Sequence, residues 1–270
     1  MSTSGQSANL LLKELDDNGI WRLTLNDERR RNALSEAMLN ELAKAFAHAA
    51  TDPAIRVIIL AAKGKAFCAG HDLKELSAGR EAGDKGKAYF TKIMQLCSRV
   101  MQGIVHCPKP VIAEVRGIAT AAGCQLVASC DLALAANEAQ FSTPGVHIGL
   151  FCSTPMVALS RNVANKHAME MLLTGDMTSA ERAAEIGLIN RAVPEQQLSD
   201  TTHAMAHKIA GKSSMTLATG KRAFYQQREM PLPDAYDYAS QVMVENMLAQ
   251  DAVEGINAFV EKRNPQWRDQ

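Results

Sequence analysis

A run of small residues between two apolar segments constrains this chain most. Val111-Ile112-Ala113-Glu114-Val115 reads as a buried strand, and Cys124-Gln125-Leu126-Val127-Ala128-Ser129 reads as a buried helix. Between them lies Gly117-Ile118-Ala119-Thr120-Ala121-Ala122-Gly123. A strand that delivers a small-residue turn into a helix start leaves unpaired backbone N–H groups aimed at one spot. The helix dipole favours negative charge there too. Small residues at 121 to 123 let another group approach that backbone closely. Tight packing between buried elements would ask for the same residues, so the stretch alone does not choose between packing and ligand.

The same alternation recurs along the first half. Leu10 to Leu15 and Ile20 to Asn26 read as strands joined by Asp16-Asp17-Asn18-Gly19, a hairpin turn signal. Ser35 reads as an N-cap to a helix carrying Met38, Leu39, Leu42, Ala45, Phe46 and Ala49 at helical spacing. Val57 to Ala61 reads as a strand covered on both faces. Gly64 to Leu73 then forms a second small-residue turn, followed by a charged, glycine-bearing segment, Lys74 to Lys87, expected to be a mobile surface. A helix is expected from Ala88 to Val105, a further strand over Asp131 to Ala136, and a third small-residue loop over Phe141 to Gly149. From Ser153 the pattern is mostly helical, with Leu188 to Val193 a last short strand. Met243, Met247, Ile256 and Phe259 are apolar residues in excess of what one core needs, the kind buried against a partner subunit. The expected division is a disordered tail over 1–9, a core over 10–200 and a helical region over 201–270.

The bulk properties exclude more than they assign. The 270 residues are 47% hydrophobic, enough for a full core, and 29 basic residues balance 29 acidic ones. That balance gives no reason to expect a nucleic-acid or anionic-membrane partner. No apolar run approaches the ~18 residues of a membrane span, and Met1 to Asn9 lack the features of a secretory signal. The six cysteines, at 68, 97, 107, 124, 130 and 152, fit neither a disulfide framework nor a zinc site, so reduced thiols in the cytoplasm and no metal are expected.

The two turns, at 69–71 and 121–123, follow buried strands of the parallel type. Side by side they would offer two backbone N–H groups to one carbonyl oxygen, an oxyanion hole built without side chains. The motifs Asn32-Ala33-Leu34-Ser35, Ala66-Phe67-Cys68-Ala69-Gly70-His71-Asp72-Leu73-Lys74-Glu75, Pro110-Val111-Ile112-Ala113, Ala122-Gly123-Cys124, Cys130-Asp131-Leu132 and Phe259-Val260-Glu261-Lys262-Arg263 occur in order. As a set they resemble the crotonase, or enoyl-CoA hydratase/isomerase, superfamily, and most closely its enoyl-CoA hydratase domain-containing branch. The resemblance implies an α/β fold, a spiral of ββα turns with C-terminal helices that assemble homotrimers, commonly paired into hexamers. It implies an acyl-CoA thioester as ligand, with coenzyme A part of the substrate and no separate cofactor. By match of position, His71 and Ala122 would supply the backbone N–H groups. Arg31, Ala33, Ala69, Asp72 and Leu73 would lie along the CoA, and Phe259 and Lys262 would meet its adenine and phosphate.

The chain departs from the hydratase pattern where acid–base chemistry is done. Hydratases carry Gly-Gly-Gly-Cys-Glu at the second turn, and the catalytic Glu position is Gln125 here. A second Glu normally follows the proline of the third loop, where this chain has Gly145, and an Asp found in some relatives corresponds to Ser153. Glutamine does not exchange a proton near neutral pH, so ordinary hydration of an enoyl thioester is not expected unless another group substitutes. His147, Cys152 and His71 are the candidates for that substitution, His147 first by its ordinary pKa. If the backbone hole is intact, restoring Glu at both 125 and 145 is expected to raise hydratase activity. Two alternatives need no such pair: decarboxylation of a malonyl-type CoA, and non-catalytic acyl-CoA binding.

Overall fold

The computed structural model describes residues 9–270 of the chain. Of the tail expected over 1–9, all but Asn9 lies outside the described residues. β1 (Leu11–Leu15) and β2 (Ile20–Leu25) pair antiparallel across a turn in which the Asp16 carboxylate accepts from the backbone N–H groups of Asn18 and Ile20. Ser35 Oγ accepts the Met38 N–H to start α1 (Glu36–Thr51), which buries the six apolar residues read from the sequence.

Three consecutive units then repeat one path. β3 (Val57–Ala62) and β4 (Ala66–Cys68) lead into α2 (Leu73–Gly79) and α3 (Lys87–His106). β5 (Val111–Val115) and β6 (Ile118–Thr120) lead into α4 (Ala122–Ser129). β7 (Leu132–Ala136) and β8 (Gln140–Ser142) lead through a 3-10 turn, Pro144–Ile148, into α5 (Ser153–Leu159) and α6 (Asn165–Thr174). In each unit the first strand joins a six-stranded sheet, ordered β1-β2-β3-β5-β7-β10, and the second joins a four-stranded sheet, ordered β4-β6-β8-β9. The chain continues through β9 (Thr178–Ser179), α7 (Ala180–Glu185), β10 (Arg191–Val193) and α8 (Glu195–Ala210). It ends in α9 (Ser214–Gln227), α10 (Leu232–Met247) and α11 (Gln250–Glu261). The α/β spiral with C-terminal helices is therefore the observed fold. Its small second sheet was not legible, because strands of two or three residues carry no readable period.

The large sheet is covered on both faces. Leu23, Ile58, Leu60, Val111 and Val115 belong to the core that includes Leu42, Phe46 and Val100 of α1 and α3. The alternate residues Val57, Ile59, Ile112 and Leu134 pack against Leu198, Ala206 and Ala210 of α8, as the two-residue period of a strand requires. On that second face Arg22 donates two hydrogen bonds, 2.9 and 2.8 Å, to the buried Glu114 carboxylate. The boundary expected at residue 200 falls inside α8, which is part of this layer. The segment 74–87, expected to be mobile, begins as the helix α2, capped by Asp72, whose Oδ1 accepts from Lys74 and Glu75.

Beyond α8 the packing changes. No residue of α9 is buried, and Met243, Met247, Ile256 and Phe259 of α10 and α11 are 60%, 58%, 56% and 84% exposed. Among the described residues no helix is long and apolar enough to cross a membrane.

Candidate active site

The spiral places the ends of β4 and β6 side by side, since these strands pair in parallel with Cys68 opposite Ala119. The turns that follow them therefore touch. A β-carbon on Gly70 would lie 2.9 Å from Ala121 Cβ and 3.3 Å from Ala122 N, so only glycine allows this approach. One on Gly123 would lie 2.1 Å from the Cys68 carbonyl oxygen, which seats the first turn of α4 directly on β4.

Backbone geometry at the second turn is strained. Ala121 sits at φ 50°, ψ −119°, the first central position of a type II′ turn, which ordinarily requires glycine. Its N–H donates to Ser142 O at 2.9 Å and its carbonyl accepts from Gln125 N at 3.0 Å, so both neighbours hold it there. Strain of that kind gathers at functional sites. Among the described residues neither His71 N–H nor Ala122 N–H donates to a protein acceptor. His71 and Ala122 each follow one side of the Gly70–Ala121 contact, and their N–H groups have no partner among the described residues.

The two segments expected along the CoA are tied to each other. Ala69 N–H donates to Arg31 O at 3.1 Å and Leu34 N–H to Gly70 O at 2.8 Å, so segments 31–34 and 69–71 run as a short ladder. Arg31 and Asn32 are both left-handed, at φ 53° and 52°. The fully buried Asn32 holds that shape: its amide donates to Lys63 O and Ala66 O, each at 2.8 Å, and its carbonyl accepts the Asp27 N–H. Asp72 is committed to capping α2 and to Arg30, 3.3 Å away, while Leu73 is exposed. Phe259 and Lys262 are not tied to this group. The bonds that fix the C-terminal segment run from Asp269 and Trp267 to Arg56, Ser214 and Gly211.

Gln125 lies one helical turn beyond Ala122 on the same face of α4. It is 5% exposed, and Oε1 has no hydrogen-bond partner. It lines a cavity of about 980 Å³ bounded by α3, α4, α5 and α9. A buried amide with an unmet acceptor is a place for a ligand donor; it is not a proton shuttle.

Gly145 behaves differently from Gln125. A β-carbon there would lie 2.8 Å from Leu150 O and 2.9 Å from Cys152 Sγ, and that sulfur accepts the Gly145 N–H at 3.3 Å. The space a side chain would occupy is filled. Restoring Glu at both positions is therefore corrected as a route to hydratase activity: Gln125 can be exchanged within its cavity, Gly145 cannot without displacing the third loop.

The candidate substitutes fare unequally. Cys152 is 7% exposed and burial raises its thiol pKa, which removes the thiolate. The His147 ring packs near Gly175, where a β-carbon would meet Nε2 at 2.9 Å. His71 is largely buried, desolvation lowers its pKa to about 4, and Nε2 has no partner. Among the described residues no cluster of metal ligands is present. Asp131 is structural. Its carboxylate accepts from Val111 N at 2.7 Å, Lys221 Nζ at 2.7 Å and Tyr225 OH at 2.9 Å. The sequence carries Ala121 and Asn32 only as members of their motifs, without these roles; the signal at Ala121 is an alanine where hydratases carry glycine, and Lys221 has none at short range.

Comparison with known proteins follows the same lines. A sequence profile described as enoyl-CoA hydratase/isomerase matches residues 16–270. Enoyl-CoA hydratase domain-containing protein 3, mitochondrial, of Rattus norvegicus is 50% identical over 249 residues, 92% of this chain and 81% of that protein. A crystal structure of enoyl-CoA hydratase from Mycobacterium smegmatis superposes with a TM-score of 0.91 at 50% identity, over 96% of this chain and 98% of that one. That of human enoyl Coenzyme A hydratase domain-containing protein 3 gives 0.90 at 46%, over 96% and 100%. The cytoplasmic expectation is corrected by these relatives, since those from Rattus norvegicus, Xenopus laevis and Homo sapiens are named mitochondrial. Reduced thiols do not separate the cytoplasm from another reducing compartment.

Proposed function

The chain belongs to the enoyl-CoA hydratase/isomerase family, and from that premise we propose that it binds acyl-CoA thioesters and stabilises their enolates. The thioester carbonyl oxygen would accept from the backbone N–H groups of His71 and Ala122. The observation that supports this reading is the contact of Gly70 with Ala121 and Ala122, beside which both donors lie without a partner among the described residues. Each preorganised donor of this kind is worth about 10²–10³ in rate. The 31–34 and 69–73 ladder would hold the pantetheine and adenosine. The roles of Phe259 and Lys262 rest on the resemblance alone.

Hydration also needs a group to activate water and a group to protonate the α-carbon. Gln125 supplies neither and Gly145 has no room for one, so conventional hydratase activity is expected to be weak. Decarboxylation of a malonyl-type CoA is the second reading, favoured by the filled space at Gly145. There the bond to the carboxylate breaks, CO₂ leaves, the electron pair enters the enolate held by the two N–H groups, and water returns a proton. The exposed apolar faces of α10 and α11 support assembly into homotrimers, or trimers paired as hexamers.

Three assays separate the readings. Loss of the enone absorbance of crotonyl-CoA at a rate comparable to a classical hydratase would mean that an unassigned group acts as base. A background rate with CO₂ released from methylmalonyl-CoA would support decarboxylation. Binding of acyl-CoA with neither reaction would make the chain a carrier or scaffold, and absence of any binding would overturn the proposal.

A further inference from the structure

The cavity beyond Gln125 is larger than a short acyl group needs. Its volume of about 980 Å³ stands at the upper end of the range for small-molecule sites. Its walls are mainly apolar, with Met101 and Val105 of α3, Ala128 of α4, Val157 of α5, and Met215 and Ala218 of α9. Gln125, one turn from Ala122, and Ser129, a further turn along, both line it, so it follows α4 away from the proposed carbonyl site.

The α9 wall is unlike the others. α3, α4 and α5 each bury residues in the main core, whereas α9 buries none and stands across the cavity from them. A short set of polar ties holds it. Lys221 Nζ donates to Ile104 O at 2.9 Å, Lys109 O at 3.0 Å and Asp131 Oδ2 at 2.7 Å, and Tyr225 OH donates to Asp131 Oδ1. The three donors of that ammonium are all used, so it offers no free charge to a ligand. At the far end, Arg228 donates to Arg161 O and Arg161 pairs with Glu229.

We propose that this cavity seats the chain of a medium-length acyl-CoA, and that α9, latched by Lys221 and Tyr225 onto Asp131, is the wall that sets how long a chain it accepts. The proposal rests on acyl-CoA binding as read above. It goes further in assigning the chain-length limit to an element that is held by hydrogen bonds instead of by core packing.

The test is calorimetric binding of butanoyl-, octanoyl- and dodecanoyl-CoA, saturated esters that do not undergo hydration. Each methylene buried strengthens binding about fourfold, so octanoyl-CoA is expected to bind ~10²-fold tighter than butanoyl-CoA, with dodecanoyl-CoA gaining little more. Ala218→Phe, and the milder Ala218→Leu should the first not fold, is expected to lower the octanoyl-to-butanoyl ratio at least tenfold. Tyr225→Phe, which loosens the latch while keeping Lys221, is expected to raise the dodecanoyl-to-octanoyl ratio several-fold. Equal affinity for butanoyl and octanoyl esters in the natural protein overturns the proposal while leaving acyl-CoA binding intact. So does either ratio unmoved in the folded variants. No binding of any ester overturns the underlying reading as well.

Discussion

Gln125 and Gly145 are the two positions where a side chain decides the chemistry, and they differ in what they tolerate. Gln125→Glu places a carboxylate in an existing cavity, near the proposed carbonyl site. It is expected to raise crotonyl-CoA hydration at least about tenfold, below the ~10²–10⁴ of a fully supported acid–base group. No rise in a folded variant with intact acyl-CoA binding would count against the placement of the carbonyl. Gly145→Ala is expected to destabilise by about 1–3 kcal/mol in a denaturant titration, because its methyl group meets Leu150 O and Cys152 Sγ. His71 gives a pH signature. Its pKa falls from 6.5 to about 4 on burial, so the unfolded chain takes up the proton first as pH drops. The stability it contributes is complete above pH ~6.5 and is lost progressively as pH falls toward 4, by about 1–3 kcal/mol. His71→Gln is expected to flatten that part of the stability–pH curve.

At the scale of elements, the start of α4 concentrates the strain of the fold. Ala121 holds a glycine conformation, so Ala121→Gly is expected to raise stability by about 1 kcal/mol, read as an upward shift in Tm. Gly123→Ala is the opposite case: a methyl group 2.1 Å from Cys68 O forces α4 off β4 and is expected to abolish acyl-CoA binding even where the chain still folds. How far this was legible in the sequence follows from element length. β3, β5, β7 and the long helices α1 and α3 announce themselves by apolar runs and helical spacing. β4, β6, β8 and β9 are too short to show a period, and they are the strands that bring the two turns together. Both turns are therefore readable from small residues, whereas their contact follows only from the pairing of Cys68 with Ala119. The cavity was not legible at all, because its lining comes from four helices between Ser98 and Glu229.

For the whole molecule, the division of labour lies between a spiral packed on both faces of its large sheet and a C-terminal region with little buried surface of its own. Met243, Met247, Ile256 and Phe259 were legible as apolar surplus, and their exposure fits burial between copies. Light scattering is expected to report a trimer or hexamer, and paired substitutions Met247→Glu and Ile256→Glu to shift it toward monomer; an unchanged mass would place the interface elsewhere. The packing against Gly145 has a consequence for mutational routes. An isolated change at 145 meets both the Cys152 sulfur and the Leu150 carbonyl oxygen, so a smaller residue at 152 and a shifted backbone at 150 have to come first. Order matters on that path, and the present packing acts as a ratchet. A library that varies residue 145 by itself would recover almost nothing, whereas one that varies 145 together with 150 to 152 is the one expected to reopen acid–base chemistry on this scaffold.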